Sequence, residues 1–201
     1  TDDDETILST DRLVERFSID RFGRAAAIFD ERKLRWLNGR FMREEGLDAY
    51  EAALAAHLSR TDPPAAEAFA AAAPELRREA CAIVQEKAQT VIEIWPLIEF
   101  LFTDPPTDEK AWEKVMKPAA AEPLRREREV IAAAEPFEAE VLERDLRALI
   151  EGLGLGLGKA LQPIRVAIAG KTISPGLFES LAALGRERAL ERIDRALERL
   201  A

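Results

Sequence analysis

The 201-residue sequence is poor in the residues that build covalent or metal chemistry. A single cysteine, Cys81, excludes a disulfide framework and the usual cysteine-rich zinc sites. A single histidine, His57, leaves little from which to assemble a transition-metal centre. No apolar run approaches the length that crosses a bilayer, and the opening "TDDDETILST" is the reverse of a signal peptide's basic start, so a cytoplasmic protein with no membrane partner is expected. There is no Gly-x-Ser-x-Gly elbow and no paired Cys and His, and the carboxylates mostly stand beside Arg and Lys as solvated helix partners do. An independent active site would need parts that this chain lacks.

Strand patterns are also missing. No segment of useful length alternates strictly between apolar and polar residues, whereas helical spacing recurs almost everywhere. Apolar content of 47% and charged content of 33%, rich in Ala, Leu, Arg and Glu, favour a soluble all-α protein of roughly ten helices, a count made from helix start and stop signals. Ser9-Thr10 opens the first helix, with Leu13, Phe17 and Phe22 on its core side. Asp30 precedes "ERKLRWLNGRFMREE", in which Leu34, Leu37 and Phe41 form the expected inner stripe. Gly46, the "TDPP" at 61–64 and the "TDPPTD" at 103–108 are stops, and the last is expected to mark a domain boundary.

Two glycine-containing stretches raise a nucleotide reading and fail it. "AGKTISPGLF", 169–178, holds Gly-Lys-Thr, but Arg165 occupies the position where a phosphate-binding loop needs its first glycine, and helix precedes it where a strand is required. "GLGLGLG", 152–158, lacks the third glycine of the dinucleotide fingerprint and reads as a helix stop with a hinge.

Two other features carry more. In "KLRWLNGRFMR", 33–43, Lys33, Trp36, Arg40 and Arg43 recur at spacings of three and four and share one stripe of a helix. A buried Trp with solvated cations is the structural reading; cations for phosphates with a ring for stacking is the RNA-binding one. Near the C-terminus, Ser174-Pro175 is placed to cap a helix, whose N-terminal field Arg165 and Lys171 would reinforce, a site suited to an anionic or hydrogen-bonding partner. The net charge of −9 argues weakly against nucleic acid, yet 159–188 is locally basic.

At these two places the sequence resembles the C-terminal half of bacterial glutamyl-tRNA synthetase, a class I aminoacyl-tRNA synthetase. "FDERKLRWLNGRFMR" is similar to the family's Lys-Leu-x-Trp-Leu/Met-Asn-Gly segment, and "PIRVAIAGKTISPGLFESLAALGRERALERI" to its closing helix pair. Between them "EKAQTVIEIWPLIEFLF" is similar to its central helices. The resemblance implies a stem-contact remainder at 1–45 followed by a two-part α-helical anticodon-binding region, 46–106 and 107–201. It implies that Lys33, Trp36 and Arg43 touch the inner corner of tRNA near the D-stem, and that Arg165, Ser174, Pro175 and Leu177 surround the first anticodon base.

Lys87 falls near the family's arginine for the last anticodon base. A lysine there lacks the planar fork of arginine, which leaves open whether glutamine tRNA is discriminated. The implied partner is glutamate tRNA, with no DNA, in a monomeric parent enzyme. The family's His-Ile-Gly-His and Lys-Met-Ser-Lys-Ser type motifs do not occur in this sequence, so glutamate activation with ATP and magnesium would belong to another domain, and this stretch would hold no cofactor. Glutaminyl-tRNA synthetases in their common form read the anticodon with β-barrels, which the all-helical pattern opposes. The alternatives from other classes are a helical protein-interaction module, which requires Trp36 to be buried and Lys33, Arg40, Arg43, Arg165 and Lys171 not to share a face, and an independent helical enzyme, which requires a closed pocket with strongly perturbed carboxylates.

Overall fold

The computed structural model describes residues 7–19, 28–104 and 106–201. Those residues contain twelve α-helices, three short 3-10 turns and no strand, as the absence of period-two patterning requires. The chain divides into two compact units, 1–31 and 32–201.

In the first unit, helix α1, Thr10–Arg16, starts where the sequence signals it, with the Ser9 hydroxyl accepting from the Arg12 N–H at 3.3 Å. The expectation that Leu13 and Phe17 face a core is corrected: both are more than half exposed and α1 buries none of its residues. Periodicity identifies which side of a helix is apolar; it does not supply something to cover it. Phe22 lies outside the described residues.

Helix α2, Glu31–Glu44, leads into the second unit. There α3 (Leu47–Thr61), α4 (Pro63–Ala71), α5 (Pro74–Val84) and the short α6 (Ile94–Ile98) form a first group. Gly46, at φ 85°, turns the chain between α2 and α3 in a conformation that a side chain would resist. Tyr50, Leu54 and Leu58 recur every fourth residue of α3 and are buried, as an inward helical stripe should be. Asp62 caps α4 by accepting from the Ala65 N–H at 3.1 Å, with Pro63 tolerated at the first helical position. Phe69, Trp95 and Phe102 form an aromatic cluster with centroids 5.1–6.3 Å apart. Trp95, Ile98 and Leu101 are buried as the spacing predicts, while Phe102 is partly buried.

After the Pro-rich break, Asp108 caps α7 (Glu109–Val115) through the Lys110 and Ala111 N–H groups. It is followed by α8 (Ala121–Ala133), α9 (Ala139–Gly152), α10 (Leu157–Ala169), α11 (Leu177–Leu184) and α12 (Arg186–Leu200). One hydrophobic cluster runs from Tyr50 to Ala196, so both helical groups share a core. Buried Arg192 of α12 strengthens the join by donating to the carbonyls of Ile168 and Thr103, the latter at 2.7 Å.

Candidate tRNA interface

The Gly-Lys-Thr stretch is a helix exit. Gly170, at φ 69°, ends α10 in the left-handed conformation, and its N–H reaches the Val166 carbonyl. A side chain at 170 would come within 3.0 Å of the Pro106 carbonyl oxygen, and the Gly170 carbonyl in turn accepts from the Asp108 N–H at 2.9 Å. The backbone here is committed to packing. Lys171 pairs with the Glu99 carboxylate, so its charge is not presented toward a phosphate.

Residues 172–176, between α10 and α11, make a turn organised by two cations. Arg165, on α10, points its Nη1 at the Ser174 hydroxyl and donates to the Pro175 carbonyl at 2.8 Å. Lys87, from the turn after α5, donates to the Ser174 carbonyl at 2.7 Å. The Ser174 hydroxyl in turn donates to the Pro175 carbonyl at 3.2 Å. Ser174, Pro175 and Leu177 are buried while Ile173 is 71% exposed, so the turn is anchored at one end and projects at the other.

The expectation that Ser174 caps a helix starting at Pro175 is corrected. Helix α11 begins at Leu177 with Gly176 at its cap and no side-chain cap hydrogen bond. The Ser174 hydroxyl answers Arg165 instead, because a guanidinium supplies a stronger, charge-assisted donor than a helix N–H.

Burial depresses the Arg165 guanidinium below its ordinary pKa, against the opposing charge of Glu179. Burial and then the charge of Arg165 depress Lys87, again opposed by Glu179. The two cations are therefore held together at a cost that their carbonyl acceptors and the Glu179 carboxylate offset. All the Arg165 hydrogen bonds use Nη1; among the described residues its Nε and Nη2 edge makes none.

Lys87 also borders an open groove of about 610 Å³ lined by Ile92, Pro96, Leu97, Arg35 and Glu93. Arg35 pairs with Glu93, whose other oxygen accepts from the N–H groups of Gln89, at 2.8 Å, and Thr90, at 3.2 Å. Burial pushes the Glu93 carboxyl up, but these donors outweigh it and hold it below the usual range. Sequence reasoning missed this pair, although Thr90-x-x-Glu93 carries the spacing of a helix-capping box.

On α2 the face turned to the molecule is not the apolar stripe. Gly39 is buried with room for no more than hydrogen against Gln89 Cα, 3.1 Å from where a Cβ would stand. Beside it, Asn38 donates to the Gln89 carbonyl at 2.5 Å, and Arg43 approaches Glu86 at 3.8 Å. The expectation that Leu34 and Phe41 face inward is corrected: both are exposed, and Leu37 is half-buried. Arg35, Asn38 and Gly39 dock against the polar 89–93 segment, which a search for apolar residues overlooks, and Met42, one turn on, packs against the hydrophobic core.

Trp36 is 45% exposed, Lys33 and Arg40 are exposed, and Arg40 pairs within the helix with Glu44 at 2.6 Å. Lys33, Trp36 and Arg40 thus face outward, whereas Arg43, expected on the same stripe, is half-buried beside Gly39 and Glu86.

Comparison with known proteins fits this geometry. A family profile described as "Anticodon binding domain" matches residues 45–197. The chain belongs to the anticodon-binding domain family. Its relatives include the glutamate–tRNA ligase of Moorella thermoacetica, 35% identical over 96% of this chain and 40% of that protein, and that of Frankia casuarinae, 37% identical over 98% and 42%. A crystal structure of a glutamate tRNA ligase from Elizabethkingia meningosepticum in complex with its amino acid superposes with a TM-score of 0.78 at 26% identity, over 97% of this chain and 38% of that one. The chain therefore spans about two fifths of the length of these relatives, and its all-α architecture is that of an anticodon-binding region.

Among the described residues, no three His, Cys, Asp or Glu side chains converge as metal ligands would. Cys81 is buried, and burial pushes its thiol up to about 12, the behaviour of a core residue and not of a nucleophile. No helix of the described residues is long and apolar enough to cross a membrane.

Proposed function

We propose that this chain is the tRNA-recognition part of a cytoplasmic glutamate–tRNA ligase, gripping the inner corner and anticodon of glutamate tRNA so that a separate catalytic domain can attach glutamate. The observation that carries the reading is the convergence of Lys87, Arg165, Ser174, Pro175 and Leu177 on one turn, although Lys87 lies 87 positions from Ser174. Four of the five positions lie within 165–177, so the long-range part of the convergence is Lys87, which reaches the same turn from the end of α5.

Recognition would proceed by splayed bases. An unstacked base lies along the projecting Ile173 turn and meets the free edge of Arg165, and a second enters the groove beside Lys87. Lys33, Trp36 and Arg43 on α2 would position the D-stem side, with cations on the backbone and a ring offered for stacking. In this reading 1–45 belongs to the stem-contact part, and 46–106 and 107–201 are the two halves of the anticodon region. A purely structural reading of α2 requires a buried Trp36 and is opposed by its exposure.

ATP and magnesium would serve the catalytic domain. The described residues do not fit either group, since the Gly-Lys-Thr turn is a helix exit and no carboxylate cluster is present among them. No chemical step is therefore assigned to this chain. Lys87, a point charge where the family resemblance implies an arginine, makes the breadth of tRNA selection the finer question.

The test is equilibrium binding of the chain to glutamate and glutamine tRNAs at low and moderate salt, beside an Arg165→Ala variant. Selective, salt-sensitive binding that weakens in the variant is expected. A folded variant that keeps the parent's affinity and selectivity for both tRNAs would remove the anticodon assignment.

A further inference from the structure

A second cavity of about 610 Å³ lies between the turn joining α7 to α8 and the turn joining α9 to α10. Val115, Pro123, Leu155 and Pro163 line it, with alanines and glycines at 119, 120, 156 and 158. Three lysines line it: Lys114, Lys117 and Lys159. None of the three makes an ion pair or side-chain hydrogen bond among the described residues, in a chain of net charge −9 whose cations are mostly paired.

The placement of Lys159 runs against local stability. It sits in the first turn of α10, where the helix field is positive, and that turn holds no acidic residue and no side-chain cap. A cation beside two like charges at the positive end of a helix is disfavoured unless something anionic arrives. Rules broken locally without local compensation are expected at binding sites. Apolar walls enclosed by lysines select a ligand with both a flat uncharged part and a phosphate.

Helix α10 connects this cavity to the anticodon turn: Lys159 and Arg165 are six residues apart on it, roughly 9 Å along the axis and about 120° around it, so a strand that meets both passes round the helix. We propose that the cavity takes one unpaired nucleotide of the bound tRNA, its base against Pro123, Leu155 and Pro163 and its phosphates on Lys114, Lys117 and Lys159. This rests on the RNA-binding reading above.

The experiment uses the full chain, a glutamate tRNA transcript and a salt series, comparing a Lys117→Ala, Lys159→Ala double variant with Arg165→Ala. Both lysines are exposed, so the double variant should melt at the parent temperature. Its affinity should fall about tenfold at low salt, and the slope of log affinity against log salt should shrink by about 1.4, or about 0.7 for each single-strand phosphate that is no longer neutralised. In parallel, amide resonances of Gly156 and Gly158 are followed as cytidine monophosphate is added, and they should shift in the parent but not in the double variant.

If the double variant keeps the parent's affinity and slope while Arg165→Ala weakens binding, the cavity is overturned and the anticodon reading survives. If the unaltered chain binds no tRNA at low salt, both fall. In that case, amide shifts with the mononucleotide would reassign the cavity to a free nucleotide and overturn the tRNA occupant.

Discussion

Lys87 and Ser174, which the chain separates by 87 positions, are joined by a 2.7 Å hydrogen bond from the Lys87 ammonium to the Ser174 carbonyl. The bond ties the turn after α5 to the turn before α11, and Arg165 closes the same turn from α10.

Replacing Arg165 by Ala should loosen that turn and cost about 1–3 kcal/mol in unfolding free energy, since the buried Ser174 hydroxyl loses its donor and the Pro175 carbonyl keeps only the longer bond from that hydroxyl. Denaturant unfolding measures this cost. Lys87→Met should cost less, because Lys87 is exposed, while still lowering tRNA affinity. Equal stability losses with no change in tRNA binding would make both residues structural.

Trp36→Ala should leave stability within about 0.5 kcal/mol of the parent, as an exposed helix position does. The same change at buried Trp95, inside the aromatic cluster, should cost about 3–5 kcal/mol. If Trp36 stacks on RNA, its removal costs roughly 1–3 kcal/mol of binding. Thermal unfolding and tRNA titration on the two variants separate these roles.

Glu127 on α8 is fully buried, with neither carboxylate oxygen hydrogen-bonded, and burial pushes its carboxyl up to about 8. The folded chain thus holds the proton more tightly than the unfolded chain, whose carboxyl titrates near the ordinary glutamate value of 4.5. The stability associated with this group is fully present below the unfolded pKa and is lost as pH rises toward 8, by roughly 4 kcal/mol. Glu127→Gln should flatten that decline. Unfolding free energies at pH 5 and pH 8 for both chains check the sign; a parent that loses no more stability between these pH values than the variant would contradict it.

Gly170→Ala should destabilise by about 1–3 kcal/mol. A side chain there meets both a left-handed backbone and the Pro106 carbonyl at 3.0 Å, neither of which yields cheaply. Urea unfolding is sufficient to test it. A neutral result would mean that the 106–108 segment can move away from the end of α10.

The candidate site was legible in the sequence as residue types without a reason to meet. Arg165 and Ser174 could be placed together because one helix exit separates them, whereas Lys87 entered through family likeness alone. The role given to Ser174 from local rules, a helix cap, yielded to a nearby guanidinium that the local rules do not see. The inner face of α2 was misread for a related reason. Leu34 and Phe41 have the right spacing, but Gly39 permits the closest approach, and close approach fixed the orientation.

The sequence by itself determined that the chain is helical, where most helices start and stop, and that its Gly-Lys-Thr and Gly-Leu repeats are turns. These follow from period, caps and backbone preference, which act over four or five residues. Only the tertiary structure decided which faces are covered, that Lys87 and Arg165 share one turn, and that three lysines surround one cavity. Those relationships depend on how helices pack across long separations, and no local pattern encodes the distance between residues 87 and 174 or between 114 and 159.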